Sequence, residues 1–414
     1  MTTSIVVIFL IVYLGMLLGE LPYLQLDRTG VALLGAIALI SIDAVTLTDA
    51  AEAIHLPTII LLFSFMVLSA QMRLGGFYDW VTEHLAALPL SPPQLLGALI
   101  LFIAALSAVF SNDIVCLAVA PVLIGACERR RLDPVPYLLA LACAANIGSA
   151  LTLIGNPQNI LIGQTLRLSF AGYTAEAALP VALGLAGTWA LIAWQARGRW
   201  SGESMTAVAP PSTANSAAIA FDSWQTTKGL AVAAVLLFVF LLSPWPRENV
   251  ALTAAGVLLM SRKLHSNQML GLVDWELLVL FIGLFVVNHA LQQTGLVAAV
   301  AKDLAAAGID LNRLGPLFVV TFALSNIVSN VPAVMLLLPF SGDPLAGPLL
   351  ALVSTLAGNL LIVGSVANII VVASAARRGI RIDWRRHARV GVPVTLMTLA
   401  ICAIYLWLRG QLNV

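Results

Sequence analysis

Twice in this chain the same short polar run falls in the middle of an apolar stretch, where a bilayer tolerates it least. Ala105, Leu106, Ser107, Ser111, Asn112 and Pro121 recur as Ala323, Leu324, Ser325, Ser329, Asn330 and Pro339, at a constant offset of 218 residues. A second pair follows, Gly155-Asn156-Pro157-Gln158-Asn159-Ile160 against Gly364-Ser365-Val366-Ala367-Asn368-Ile369, at an offset of 209. The offsets differ because the first half carries a longer loop. Such a pattern, repeated in order, predicts a duplicated fold whose polar interruptions are sheltered by protein or by a watery cavity.

Composition sets the medium. Of the 414 residues 60% are hydrophobic and 10% charged, and apolar runs of about spanning length recur from one end to the other. A soluble enzyme is excluded, and neither a nucleophile with a partnered base nor a phosphate-binding loop is present to indicate catalysis or ATP-driven pumping. The net charge of +1 is spread over short loops and forms no basic face, so no nucleic acid or acidic partner is implied. Cys116, Cys127, Cys143 and Cys402 lie in apolar sequence without Cys-x-x-Cys spacing, which indicates neither a disulfide framework nor a metal site. The run from Ile5 to Leu18 lacks a basic region before it and a small-residue cleavage site, and reads as a retained span.

The expected fold is an all-α integral membrane protein of two inverted-topology repeats, each with about five spans, one of them broken, and one re-entrant helical hairpin. The first repeat covers 1–196, with a hairpin at 94–127 and a broken helix at 136–168. A linker follows at 197–228, with Pro210-Pro211-Ser212-Thr213 in it. The second repeat covers 229–414, with a hairpin at 316–341 and a broken helix at 345–375. At a rise of 1.5 Å per residue the second hairpin is either one helix of roughly 39 Å or two short arms folded back, and Ser and Asn beside a proline favour the turn. A short amphipathic segment precedes each hairpin, Phe77 to Leu88 and Leu296 to Ala307, and is expected along the interface.

Charge tests this count. Five spans per half invert the second half, and one choice of sides then gathers all but Arg167, Arg247, Lys302, Arg313 and Arg409 of the 21 basic residues. By the positive-inside rule that side is cytoplasmic, which places the linker inside and both termini outside an inner membrane.

Two hairpins and two broken helices bring several helix ends to one place. Helix N-termini offer unpaired N–H groups and partial positive charge, about 0.3 to 1 kcal/mol each when exposed and up to ~2 when partly buried. An anion can be held there without Arg or Lys. Ser111, Asn112, Ser329 and Asn330 add hydroxyl and amide groups, while Asn156, Pro157, Asn159, Ser365 and Asn368 belong to the two unwound stretches, beside Gly155 and Gly364. Carbonyls in such stretches equally suit a hard cation such as sodium. The competing use of these residues is interhelical hydrogen bonding and close packing.

Asp113 is the one acidic residue expected at a hairpin tip. An ionised carboxylate at helix centre costs about 2.5 to 3.5 kcal/mol on insertion scales, which makes it a candidate for proton or cation coupling, with N-capping of the second arm as the alternative. The equivalent position in the second half is Val331. His289, beside Asn288, is a candidate relay or an interfacial histidine.

With these residues in place, the chain resembles the ion transporter superfamily of arsenite-efflux carriers, D-type sodium–proton antiporters, citrate carriers and divalent anion:sodium symporters. Ser111-Asn112-Asp113 and Thr152-Leu153-Ile154-Gly155-Asn156-Pro157-Gln158-Asn159 look most like anion permeases with a citrate-transporter-like domain. The resemblance implies a scaffold and a mobile transport domain, a homodimer, and an elevator-like displacement. It also implies that Ser111, Asn112, Ser329 and Asn330 occupy the two tips that bind substrate and sodium in the symporters. Those symporters have Thr after each Ser-Asn pair; this chain has Asp113 and Val331, and a proton is the natural substitute. The expectation is a secondary active transporter for a small anion, coupled to protons or sodium, with no organic cofactor. Its alternatives are a sodium–proton antiporter or arsenite-efflux carrier with Asp113 as the exchanging acid, and a non-transporting membrane receptor or assembly subunit.

Overall fold

Residues 1–19, 26–201 and 220–412 are described by a computed structural model. They are almost entirely helical. The first ten helices are α1 (Thr2–Leu18), α2 (Arg28–Ser41), α3 (Leu47–Ala53), α4 (Leu56–Leu74), α5 (Phe77–Ala87), α6 (Pro92–Val109), α7 (Asn112–Arg129), α8 (Pro134–Ser149), α9 (Pro157–Thr165) and α10 (Phe170–Gln195). The next ten follow the same plan: α11 (Ser223–Leu242), α12 (Arg247–Leu259), α13 (Ser266–Leu270), α14 (Trp275–Gln293), α15 (Leu296–Ala306), α16 (Leu314–Val328), α17 (Asn330–Leu337), α18 (Ala346–Ala357), α19 (Val366–Arg377) and α20 (Trp384–Leu412). Among the described residues, α4, α6, α10, α11, α14 and α20 are long and apolar enough to cross a membrane.

The packing is reciprocal. Helix α2 lies on α14 and α4 on α12; α8 lies on α19 and α9 on α18; α7 lies on α19 and α17 on α9. Each repeat thus buries apolar faces against the other as well as within itself, with equivalent helices in equivalent pairings. Glu176 on α10 accepts from Tyr405 and Arg409 on α20, tying the last helix of one repeat to the last of the other.

The centre is built from α8 and α18. Fourteen of the 16 residues of α8 and all 12 of α18 are buried, the mark of helices surrounded by protein on every side. Leu10 and Leu14 on α1, Phe238 on α11 and Leu396 on α20 instead point outward, as expected of lipid-facing helices. Helix α8 meets α6 at Gly148, where a Cβ would come within 2.3 Å of the Ala104 Cα. Only glycine permits backbones that close.

Local sequence sets the helix starts. Ser91 and Gln94 form a capping box at the start of α6, with Pro92 and Pro93 in the first turn. The first hairpin returns to its own side: Arg130, just past α7, donates to the Ala86, Leu88 and Leu90 carbonyls in the segment leading into α6. Helices α5 and α15 occupy the two amphipathic segments before the hairpins.

The sequence reading missed α3 and α13, of seven and five residues. They are too short to carry a spanning-length apolar signal. Helices α11 and α20 begin at Ser223 and Trp384, earlier than their apolar runs, because the side chains of Asp222 and Asp383 accept from the backbone amides of the first turn. Residues 202–219, including the Pro210 to Thr213 part of the expected linker, lie outside the described residues.

Candidate functional site: a polar network between two broken helices

Each broken helix parts at the place marked by the duplicated motif. In the first repeat α8 ends at Ser149 and α9 starts at Pro157. Asn156 is the N-cap: its side-chain Oδ1 accepts from the Asn159 N–H at 2.9 Å, and Pro157 follows at the first helical position, where its missing N–H costs nothing. In the second repeat α18 ends at Ala357, a short 3₁₀ turn covers Ile362–Gly364, and Ser365 is the N-cap of α19. The Ser365 hydroxyl does not cap its own helix.

That hydroxyl donates instead to Asn146 Oδ1 on α8, at 2.9 Å. Asn146 is a hub. Its Oδ1 also accepts from Asn112 Nδ2 at 3.3 Å, and its Nδ2 donates to Asn359 Oδ1 at 2.9 Å and to Asn368 Oδ1 at 3.3 Å. One side chain therefore joins the first hairpin tip to the unwound segment of the second repeat. Asn368 completes its own set by donating to the carbonyls of Gly358 and Leu361.

The mirror arrangement is made by Thr355 on α18. Its hydroxyl accepts from Asn156 Nδ2 at 3.1 Å and Gln158 Nε2 at 3.2 Å, and lies 3.4 Å from Asn159 Oδ1. Asn159 in turn donates to the Thr152 carbonyl, as Asn368 does to Leu361 at the equivalent position. Asn146 and Thr355 are themselves 209 residues apart, the offset of the motif they serve. Each repeat thus lends one polar residue from its central helix to the unwound segment of the other.

The hairpin tips differ. Ser111 takes an ordinary φ of −54°, and its N–H donates to Ser69 Oγ at 3.4 Å. Ser329 has φ +78° and ψ 161°, a region that glycine favours. Near it the buried Ser325 Oγ, Asn326 Oδ1 and Asn330 Oδ1 have no partner, and at the first tip Ser107 Oγ and Asn112 Oδ1 are likewise unpaired. Asn359 Nδ2 is the unpaired donor of the network. Buried polar atoms without partners are rare and call for a ligand, ion or water.

Asp113 lies in the first turn of α7, half-buried, and makes no hydrogen bond or ion pair with the described residues. Gly155 is clamped, since a Cβ there would come within 2.3 Å of the Ser149 carbonyl and 2.7 Å of that of Ser107. Gly364 is freer, with its nearest neighbour the Gly358 carbonyl at 3.2 Å. Asn112, Ser365 and Asn368 therefore meet through Asn146, and Asn156 and Asn159 through Thr355. Ser111, Asp113, Ser329 and Asn330 stand beside this network and are not hydrogen-bonded into it. His289 pairs with Gln293 at 2.9 Å, and the relevant partner of Asn288 is Tyr13, whose hydroxyl donates to it at 2.9 Å.

Sequence reasoning missed Asn146, Thr355 and Asn359. The common offset of the first two was the available signal.

Two inverted helical repeats enclosing uncharged polar groups at their shared centre define a multi-pass membrane transporter. More particularly, the chain belongs to the citrate transporter family, CitMHS, whose model matches residues 6–348. It is 31% identical to the inner membrane protein YbiR of Escherichia coli (strain K12), over 81% of this chain and 83% of that protein. It is 28% identical to the silicon efflux transporter LSI3 of Oryza sativa subsp. japonica, over 95% of each. The crystal structure of the Alcanivorax borkumensis YdaH transporter, described as having an unusual topology, shares the fold with a TM-score of 0.54 at 14% identity, over 99% of this chain and 98% of that one.

Proposed function

We propose that this protein is a secondary active transporter that moves a small anion across the inner membrane, coupled to protons or sodium, by elevator-type alternating access. The observation that carries this reading is the meeting of helix N-termini from both repeats around one uncharged network. Helix α7 begins at Asn112 and the N-caps of α9 and α19 are Asn156 and Ser365, all three bonded to Asn146 or Thr355, and α17 packs on α9 and α18. Among the described residues no Lys or Arg bonds to these, so N–H dipoles and amide groups are what an anion would meet. In this reading Ser111, Asn112, Asn156, Pro157, Asn159, Ser329, Asn330, Ser365 and Asn368 contact substrate. Asp113, Gly155 and Gly364 serve the coupling ion, and the protein works as a homodimer. The inner-membrane location is the one in the name of the YbiR relative.

A second reading has support of its own. Asn112, Asn326 and Asn330 leave acceptor oxygens unpaired, against one unpaired amide donor on Asn359. Acceptors favour a ligand that brings hydrogens or positive charge: a neutral hydroxylated acid, in keeping with the silicon efflux transporter among the relatives, or a cation exchanged against a proton on Asp113.

Proteoliposomes distinguish the two. Citrate, phosphate, silicate, arsenite and sodium are offered separately under an imposed pH gradient. The anion reading predicts accumulation of citrate or phosphate, abolished by Asp113→Asn while exchange persists. Accumulation of silicate, arsenite or sodium alone would establish the second reading. Normal gradient-driven uptake in Asp113→Asn would remove that residue from coupling.

A further inference from the structure

The connection from α19 to α20 carries Arg377, Arg378, Arg381, Arg385, Arg386 and Arg389, six exposed arginines within thirteen residues. Asp383 is the one acidic residue among them. Its carboxylate is committed to the backbone N–H of Arg386 at 2.8 Å, and none of the six arginines forms an ion pair with a carboxylate among the described residues. Three basic residues elsewhere at the surface do have carboxylate partners: Arg129 faces Glu83 at 4.0 Å, Lys263 faces Asp222 at 3.0 Å, and Arg313 faces Asp310 at 3.9 Å. Helix stability does not account for the cluster either, because Arg385, Arg386 and Arg389 lie in the first two turns of α20, where positive charge opposes the helix dipole.

The cluster has the side-chain company of a membrane interface. Trp384 is 68% exposed with the Arg385 guanidinium 5.2 Å from its ring centre, and Gln195 Nε2 donates to the Arg389 carbonyl, which brings the exposed Trp194 of α10 alongside. Exposed tryptophans at helix ends sit at headgroup level. Ile382, 5% exposed, anchors the loop, and Arg386 donates to the Arg381 carbonyl, so the guanidinium groups are displayed from a braced turn. We infer that this loop binds the headgroup of an anionic phospholipid of the surrounding bilayer. Unpaired guanidinium groups meet phosphate oxygens in a fork geometry and stack on tryptophan, and four to eight basic residues beside a membrane helix suffice for such recognition.

The site is one turn from the polar network. His387, buried in the first turn of α20, lies 3.1 Å from the Asn359 carbonyl, and Asn359 Oδ1 accepts from Asn146. Lipid bound at the arginines therefore braces the helix that abuts the hub.

The test is the melting temperature of the detergent-solubilised full chain with added phosphatidylglycerol or cardiolipin, against phosphatidylcholine as reference. Wild type is expected to gain at least about 3 °C with the anionic lipids. The gain should fall as salt rises and should be lost in Arg378→Gln/Arg381→Gln/Arg385→Gln but kept in Arg129→Gln/Arg131→Gln. Native mass spectrometry of wild type, independent of any variant, should show retained phosphatidylglycerol and not phosphatidylcholine. Equal stabilisation by all three lipids, equal loss in both variants, or no lipid retained would overturn the inference. The same gain with inorganic phosphate would assign the arginines to a soluble anion and not to lipid.

Discussion

A single amide at position 146 satisfies partners on three segments, so its removal should be felt widely. Asn146→Ala strands the Asn112 and Ser365 donors and the Asn359 and Asn368 acceptors inside protein. Unsatisfied buried groups cost about 1 to 3 kcal/mol each before relaxation, so a net loss of about 2 to 4 kcal/mol is expected in equilibrium unfolding; an unchanged midpoint would contradict the hub. The two motif glycines should separate in the same way. Gly155→Ala drives a Cβ against two backbone carbonyls and should lower the melting temperature sharply, whereas Gly364→Ala meets its nearest atom at 3.2 Å and should cost far less. Equal losses would contradict this difference. The Ser-Asn pairs were legible because such residues are expensive in apolar runs. Asn146 and Thr355 were not, since each sits in a predominantly apolar helix with only hydroxyl residues as polar company, and the two differ in type. Which amide bonds to which is set by tertiary packing across the repeats, beyond the reach of local pattern.

Among the elements, the two hairpins have the same plan and different strain. Ser329 holds a backbone conformation that costs about 1 to 3 kcal/mol for a residue with a Cβ, while Ser111 does not. Ser329→Gly should therefore raise the melting temperature and Ser111→Gly should not; the reverse order would show that the Ser329 side chain stabilises its turn. Two helix starts carry a pH signature. The Gln225 backbone amide, and after it Lys263, hold the Asp222 carboxyl below the usual aspartate range, and the Arg386 amide does the same for Asp383. A folded-state value below the unfolded one gives stability that is present above the ordinary aspartate value of about 3.9 and is lost as pH falls through the lowered one. Between about pH 5 and pH 2, the melting temperature of Asp222→Asn/Asp383→Asn should accordingly fall less than that of wild type. A parallel fall would place acid sensitivity elsewhere. Spanning helices were visible in sequence because length and apolarity mark them; α3 and α13 carry neither mark and start instead at local capping boxes, Thr46 with Asp49 and His265 with Gln268.

At the scale of the molecule, the inverted repeat was legible from the constant offsets and the odd number of spans, and the reciprocal packing of α2 on α14 and α4 on α12 is its physical form. The charge distribution makes a prediction of sidedness. All four cysteines are buried, so single introduced thiols report cleanly. In intact cells Asn312→Cys is expected to react with an impermeant thiol reagent and Arg378→Cys to resist it; rapid labelling at 378 would invert the topology. The central claim is that the network around Asn146 and Thr355, with the hairpin tips beside it, holds a small anion. The most direct measurement is the melting temperature of purified wild type and Asn112→Ala against a panel of small oxyanions and carboxylates, arsenite, sodium and lithium, from about pH 5.5 to about pH 8.5. The account predicts a rise with one oxyanion or carboxylate, larger at low pH and absent in Asn112→Ala. A rise with sodium or lithium alone, larger at high pH, would contradict it.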